Sequence, residues 1–558
     1  MDSVATEEVD LVIVGGGPTG LLCAVLARRL GLSVSVIDDK SSTLPVGRAD
    51  GLNARTQQYL QIAKVLYDLQ PKGIKCNTSS TFANGAFQSR QSSWWTSLEH
   101  CLEKNMLIVG QPEIEKVLLQ KLRTERSADA AFFRFDHRAT SISEDADGVT
   151  VKCEHLTDSS RRVVTRAKYA IGADGARSMV RQALDIGFEG TQPEMVWAAL
   201  DTFLDTDFPV CPEIISLQLD GQCRVLWIPR ERKMARFYIR LLDGREITQE
   251  AAEETIRAHM APYRVEFVRT EWFGTFEVKE RIASSFITKQ GRGRIFLAGD
   301  AAHCHSVNGA QGLNTGIADA FGLIWRISLA CQYREPISAP NDQGESSSQD
   351  DRIRTIMESY DIERRAVAQN AVKLAATLVR DTRHDAKQYV ATIAKNAGYI
   401  TGMGVNYDRL DSPLVVQSER GIWKAGNQCP DLELTTCFTS RLEPGEIRLY
   451  AMVTHTINYG SFLLLDVGTK SHDPYAFYGQ HPRQFIKAVH LVCPSTAAAA
   501  REASGSNDSW LIKPELEAFE SEMVMPEDSF TVVVRPDMYI GYVGDKEGVM
   551  AYLTKVLG

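Results

Sequence analysis

Residues 11–20 read LVIVGGGPTG. Leu11 to Val14 is a short run of large aliphatic side chains, the pattern of a strand buried on both faces. Glycines 15, 17 and 20 follow as GxGxxG. The pattern predicts a helix from about Pro18 to Leu30, ended by Gly31, and a second strand over 33–37 closed by Asp38. Strand, glycine turn, helix, strand and acid fall within about thirty residues, the βαβ opening of a dinucleotide-binding domain. Gly15 permits the tight turn, Gly17 lets backbone approach a pyrophosphate, and Gly20 lets the helix pack close to the strand. The helix N-terminus offers unpaired N–H groups to phosphate. Asp38 stands where a carboxylate can accept hydrogen bonds from ribose hydroxyls.

The same device recurs twice. In AKYAIGADGARSMVRQAL (167–184) a strand ends in Gly172-Ala173-Asp174-Gly175 and a basic helix begins. In GRIFLAGDAAHCHSVNGAQGLNTGIADAFGLIWRI (293–327) a strand over 294–298 ends in Gly299-Asp300. A glycine-bearing loop, 308–312, then leads into a helix expected from about Asn314 to Leu329. Such a loop brings backbone N–H groups and a helix's positive end to a ligand.

Outside these landmarks, residues 195–285 hold candidate strands, among them 223–228 and 235–241, whose alternation suggests a sheet with one solvated or cavity-lining face. Residues 335–351 are rich in Pro, Ser, Gly and Asp and read as a flexible loop. Residues 353–400 are helical in pattern. After about Gly426 short strands and turns take over, with an alanine-rich piece at 497–501, so a separate C-terminal α/β domain is expected over 430–558.

Composition bounds the function. The chain has 558 residues, 44% hydrophobic and 24% charged, the balance of a soluble globular protein of two to four domains. Its net charge of −9 gives no general attraction for phosphate backbones, so nucleic acid is not the expected partner. Eleven cysteines run from Cys23 to Cys493 without a CxxC or a zinc-like spacing, which reads as reduced thiols in the cytoplasm. The acidic start excludes a secretory signal, and no apolar run reaches membrane-spanning length. His303, Cys304 and His305 are adjacent and point alternately, which does not close a tetrahedral metal site; no metal is expected.

Taken together, the motifs resemble the FAD-dependent aromatic hydroxylases, the single-component class A flavoprotein monooxygenases, and within them the phenol 2-monooxygenase branch. GGGPTG is similar to the ADP-binding motif of that family, GADGARSMVR to its DG motif and GRIFLAGDAAH to its GD motif. GRADGLNART (47–56), IPRE (228–231), YDIERRAVAQ (360–369), SPLV (412–415) and VRPDMYIGYVG (534–544) resemble branch-level strings. The resemblance implies an α/β fold: a Rossmann-like FAD domain of the glutathione-reductase type over 1–75, 110–190 and 286–425, a sheet-rich substrate domain inserted as 76–109 and 191–285, and a thioredoxin-like C-terminal domain over 430–558 without a redox CxxC. It implies that Gly15, Gly17 and Gly20 hold the FAD pyrophosphate and Asp38 the adenosine ribose. Arg48 would reach the pyrophosphate, Gln111 the ribityl region, Asp174 the neighbourhood of FAD and the nicotinamide donor, and Asp300 the ribityl or pyrophosphate hydroxyls. Gly312, Leu313 and Asn314 would face the isoalloxazine edge through backbone N–H groups. NADPH would reduce the flavin and molecular oxygen would reach a phenolic or polyketide-like small aromatic substrate through a flavin hydroperoxide. A homodimer is an expectation of the same origin.

For catalysis, Asp50 in RADGL matches a family acid that faces the substrate and draws on its hydroxyl proton, enriching the ring in electrons; the alternative is a turn-forming Asp-Gly pair. The family's tyrosine in a segment like EWFGTFEVKER falls on Phe276, which cannot exchange a proton, so an Asp–Tyr pair is in doubt at that position. Arg281 matches a basic family position, with a structural salt bridge as the alternative. Tyr238 offers a phenol from the substrate sheet, or is a half-buried strand aromatic. Val307 and Ala310 replace the family's Pro and Gly. Trp94-Trp95 either wall an aromatic cavity or form a half-exposed pair. Two other outcomes stay open: epoxidation, ring expansion or halogenation on the same scaffold, and a non-catalytic flavin-binding interaction protein. Against halogenation, the two Trp positions before Ile228-Pro229 hold Arg224 and Leu226.

Overall fold

The computed structural model describes residues 5–558 except 97, 125–131, 159, 193–195, 210–211, 241–245, 278, 289–292, 307–308, 334–347, 382–385, 437–444, 458, 469–484, 496 and 498–516. Val307, the 335–347 part of the expected loop and most of the alanine-rich piece lie outside the described residues.

The first sheet is built by the three landmark strands. Its order is Phe132–Arg134, Val34–Ile37, Ala5–Val14, Arg162–Gly172, Val149–His155, His137–Glu144, with Ile295–Leu297 also pairing Arg162–Gly172. The strands around Ala5–Val14 run parallel, and Leu11–Val14 and Val34–Ile37 are buried throughout, as a sheet covered on both faces requires. Val14 pairs with Gly172, and Gly172 with Leu297. The three strands therefore end level, and their turns, at 15–17, 173–175 and 299–300, gather at one carboxyl edge, where open α/β sheets bind ligands. Behind that edge the Pro18–Arg29 helix packs on the Gln311–Tyr333 helix. The approach is close because Gly299 and Gly316 have no side chain: a Cβ at either would run into the Thr19 hydroxyl.

The second sheet has the order Val265–Glu277, Val196–Thr206, Ala235–Ile239, Gln222–Pro229, Ile214–Leu219, Thr78–Ala83, Ala86–Ser93. The period of two divides its residues. Phe237, Ile239, Val225 and Trp227 face one way, into a cluster that includes Ile256 and Met260 of the Gln249–Met260 helix. Tyr238, Leu226, Ile228, Trp197 and Ala199 face the other way and meet Trp272, Phe276 and Val379.

The third sheet is C-terminal: Glu446–Arg448, Glu433–Thr436, Glu517–Glu520, Ile486–Val492, Phe462–Gly468, Ser529–Val534, Ile540–Gly544, with Lys546–Leu557 as its last helix. Its apolar residues share one continuous core with the first sheet. Buried polar ties add to this: Trp325 Nε1 donates to Asp537 Oδ2 (3.2 Å), Tyr459 Oη to the Phe321 carbonyl (2.6 Å) and Arg535 to Glu363 (2.6 Å).

Several boundaries differ from expectation. The first strand starts at Ala5, and the third-landmark helix already starts at Gln311. The basic helix of the DG landmark has only five residues, Met179–Ala183. The expected loop is shorter than 335–351, because Ser348 opens the Ser348–Asp381 helix; the acidic stretch Gln349-Asp350-Asp351 suits a helix N-terminus as well as it suits a loop.

Candidate active site

At the carboxyl edge of the first sheet, Gly15 has φ +109° and lies so close to the Ala173 carbonyl that a Cβ would collide with it. A Cβ on Gly20 would strike the Gly15 carbonyl. Gly17 differs: it is the N-cap of the Pro18–Arg29 helix, no side chain caps the helix there, and a Cβ on it would meet no protein atom within 4 Å. Two glycines thus close the turn and the third leaves open space before free helix N–H groups. Asp38 is 5% exposed and also secures the turn: it accepts from the Gly16 N–H and from Lys40 Nζ (3.0 Å).

The other cofactor candidates surround this edge. Asp174 accepts from the Val180 N–H (3.1 Å), while its buried Oδ1 has no hydrogen-bond partner of standard geometry; burial raises its pKa. Asp300 is exposed to solvent, yet burial raises its pKa against the opposing charges of His303 and Arg48. Arg48 is exposed, with φ +64°, and its carbonyl accepts from Arg236. Gln111 accepts from the Ala49 N–H (3.3 Å) and donates to Glu115 (2.9 Å), which fixes it beside Arg48. Gly312 and Leu313 stand in the first turn of the Gln311–Tyr333 helix, and a Cβ on Gly312 would meet only His305, at 3.8 Å. Asn314 points elsewhere: its amide donates to the Gly51 (2.9 Å) and Ala310 (2.6 Å) carbonyls and accepts from the Asn53 N–H (3.0 Å). Its side chain is a strut under the 50–53 segment.

That segment carries Asp50, 6% exposed. Tyr238 Oη donates to Asp50 Oδ1 at 3.4 Å, and Arg236 Nη1 lies 3.2 Å from Asp50 Oδ2, an ion pair off hydrogen-bond alignment that leaves Oδ2 without a hydrogen bond. Arg236 is fully buried and grips Asp201 with two 2.6 Å hydrogen bonds, as their cross-strand register dictates. Arg230 reaches the same Asp201 at 3.3 Å and bonds Glu231 at 2.6 Å. Burial, with the charge of Asp50 beside it, pushes the Tyr238 phenol above its ordinary range, so Tyr238 is a hydroxyl donor and not a base. The Trp272 indole packs where side chains on Gly47 and Gly274 would be, and so fastens the 47–50 segment to the second sheet.

The structure brings Asp50 and Tyr238 together, and Phe276 lies edge-on to Tyr238 with ring centroids 6.3 Å apart. The phenol beside Asp50 therefore comes from the Ala235–Ile239 strand and not from position 276. Arg281 is not brought there. It pairs in sheet register with Gly190 and Cys304, and its side chain donates to Gln192 (3.3 Å). Trp94 and Trp95 pack edge-to-face at 5.2 Å, and Trp95 is only 4% exposed. His303 Nε2 donates to Asp319 Oδ2 (2.8 Å), His305 is pushed down to about 4 by burial, and the Cys304 thiol is pushed up to about 11 by burial. Among the described residues no three His, Cys, Asp or Glu side chains converge as a metal set.

Residues 8–375 match the family model described as an FAD binding domain. The chain belongs to the FAD-dependent aromatic hydroxylase family. It is 27% identical over 431 residues to phenol 2-monooxygenase fsqG of Aspergillus fumigatus, covering 73% of this chain and 66% of that protein. It is 25% identical over 442 residues to 3-hydroxybenzoate 4-monooxygenase of Comamonas testosteroni, covering 72% and 66%. The match thus spans about two thirds of these relatives' own length. In fold it is similar to aklavinone-11 hydroxylase bound to FAD and aklavinone (TM-score 0.72, 20% identity, 99% of each chain) and to the flavin-dependent monooxygenase PieE bound to FAD and substrate (0.73, 18%, 98% of each).

The residues at this edge fit an FAD: open space at Gly17 before an uncapped helix, an orphaned Asp174 oxygen, and an acid, Asp300, that feels the charge of Arg48. Sequence reading missed Arg236, Asp201 and Trp272. The signal for Arg236 was present, since it sits two residues before Tyr238 on an otherwise apolar strand and so shares its face. No helix among the described residues is long and apolar enough to cross a membrane.

Proposed function

We propose that the protein is an FAD-dependent monooxygenase that uses NADPH and molecular oxygen to hydroxylate a phenolic or polyketide-like aromatic compound in the cytoplasm. The observation that carries this reading is the buried Asp50 carboxylate, bonded by Tyr238, charge-paired with Arg236 and bordered by an apolar wall of Leu226, Trp272 and Phe276. The glycine turn, Asp38, Arg48, Gln111, Asp174, Asp300 and the first turn at Gly312–Asn314 would hold FAD, which when bound would supply the activated oxygen. Asp50 takes the proton of the substrate hydroxyl, which raises electron density on the ring carbons beside it. Arg236 pairs with Asp50 at 3.2 Å and holds the carboxylate in place, and Tyr238 Oη would orient the substrate oxygen. The wall of indole and phenyl rings excludes water from the reacting carbon. The C-terminal unit is thioredoxin-like and serves docking, since it has no CxxC.

The test is to give the FAD-loaded protein NADPH, air and a panel of phenols and aromatic polyketides. The expected result is accelerated NADPH oxidation by at least one compound and a product heavier by one oxygen. A chain that retains no FAD, or a panel that never accelerates oxidation, sinks the reading.

A further inference from the structure

On the side of the Gln311–Tyr333 helix turned away from Gly312 and Leu313, Gln311, Asn314, Thr315 and Ala318 line a cavity of about 30 Å³. Arg55, Thr56 and Tyr59 of the Ala54–Ile62 helix, Arg364 of the Ser348–Asp381 helix and Tyr539 of the C-terminal unit complete its wall. The space suits about one sphere of water size.

The charges around it do not balance. Four buried guanidiniums, of Arg55, Arg326, Arg364 and Arg535, meet three buried carboxylates, of Asp319, Glu363 and Asp537. Arg364 pairs with Asp319 (2.8 Å), Arg326 with Glu363 (2.6 Å), and Arg535 with Glu363 and Asp537 (2.6 Å each). Arg55, 3% exposed, makes no ion pair with any described residue. Its Nη1 donates to Tyr450 Oη (2.6 Å) and Gln58 (2.9 Å), its Nη2 to the Asp537 carbonyl (3.3 Å), and its Nε has no partner. The Tyr59 ring, 4.3 Å away, carries part of the charge. A buried cation without a counter-charge costs several kcal/mol. The cavity also carries hydroxyl donors: Thr56 and Thr315, both buried, line it.

We propose that this cavity binds one monatomic inorganic anion, chloride, between Arg55 and Arg364. Its volume excludes phosphate, sulfate or a carboxylic acid, and its lining calls for a negative, proton-free ligand. Arg55 belongs to the helix that follows Asp50, and it holds Tyr450 and Asp537 of the C-terminal unit. The anion therefore neutralises the surplus charge at the seam and fastens that unit to the FAD-binding side.

The direct test is a crystal of the FAD-loaded protein grown with bromide in place of chloride. An anomalous peak in the cavity beside Arg55 is expected; a map with only water there overturns the proposal. In solution, at equal ionic strength, Tm in 200 mM chloride should exceed that in gluconate by roughly 2 °C, a shift typical of ligand linkage in a large protein. Arg55→Met should abolish the difference. Equal Tm values in the two salts, or a folded Arg55→Met that keeps the difference, also overturn it. Where Arg55→Met does not fold, the bromide map of the unsubstituted protein decides.

Discussion

Two buried arginine–carboxylate clusters share this molecule, and they are built from the same parts for different ends. One lies beneath the second sheet: Arg230, Arg236, Asp201, Asp50 and Tyr238. The other lies at the C-terminal seam: Arg326, Arg535, Glu363 and Asp537. At the seam both oxygens of Glu363 are claimed, Oε1 by Arg535 and Ser412, Oε2 by Arg326 and Arg535. In the other cluster Asp201 is just as fully gripped, but Asp50 keeps one oxygen without a hydrogen bond, beside an apolar wall. Buried charge alone does not mark a site of chemistry. The proposed reading places the chemistry at the carboxylate that its neighbours hold but do not saturate.

The comparison breaks most visibly at the seam. Glu363→Ala leaves two guanidiniums, of Arg326 and Arg535, with only Asp537 between them and should cost about 3–5 kcal/mol, read as a loss of chemical stability in urea, while FAD-site spectra of the folded fraction stay unchanged. A loss below about 1 kcal/mol would mean the seam cluster is not a lock. At the Asp50 cluster, Tyr238→Phe removes a hydrogen bond to a charged group and should lower turnover about tenfold or more. Phe276→Tyr should change it little, because the position beside Asp50 is already filled; the reverse order of effects would return the catalytic phenol to position 276.

Acid should separate the clusters further. Burial alone would raise the Glu363 carboxyl, but Arg535 and Arg326 hold it below its ordinary 4.5. A carboxyl depressed in the fold contributes stability fully above its unfolded pKa and loses it as pH falls through the folded one. Melting of the C-terminal unit should therefore be flat from pH 7 to 5 and fall below about 4.5. In Glu363→Gln that fall should be weaker. The smallest effect is expected at Arg281→Gln: a partly exposed side chain bonded to Gln192 at the sheet edge should matter less than twofold to turnover. A large loss there would extend the active site to the Cys304 side.

The dinucleotide fold was legible because each of its residues answers a local demand. Gly15, Gly17 and Gly20 sit at fixed spacing, and strand burial is written in the aliphatic run before them. Asp50 and Tyr238 were legible as candidates, but their pairing was not. It depends on the register between strands 196–206, 222–229 and 235–239, a long-range property. The doubt raised by Phe276 came from aligning one segment, whereas the structure supplies the phenol from a neighbouring strand. Arg281 shows the same dependence on register: its strand pairs it with Gly190 and Cys304, in another sheet from Tyr238. For Asn314 only a backbone role was read, and its side-chain amide, spent on the Gly51 carbonyl, was not foreseen. The seam cluster was beyond reach, since Arg326, Glu363 and Arg535 are more than thirty residues apart and each alone reads as a surface charge.

The most direct test is Asp50→Asn. The change keeps the size and removes the base. With a true phenolic substrate, FAD content and NADPH-dependent flavin reduction without substrate should match the parent protein, while hydroxylated product per NADPH consumed should fall about a hundredfold. Full product yield from Asp50→Asn would contradict the assignment of Asp50 as the group that takes the substrate's proton.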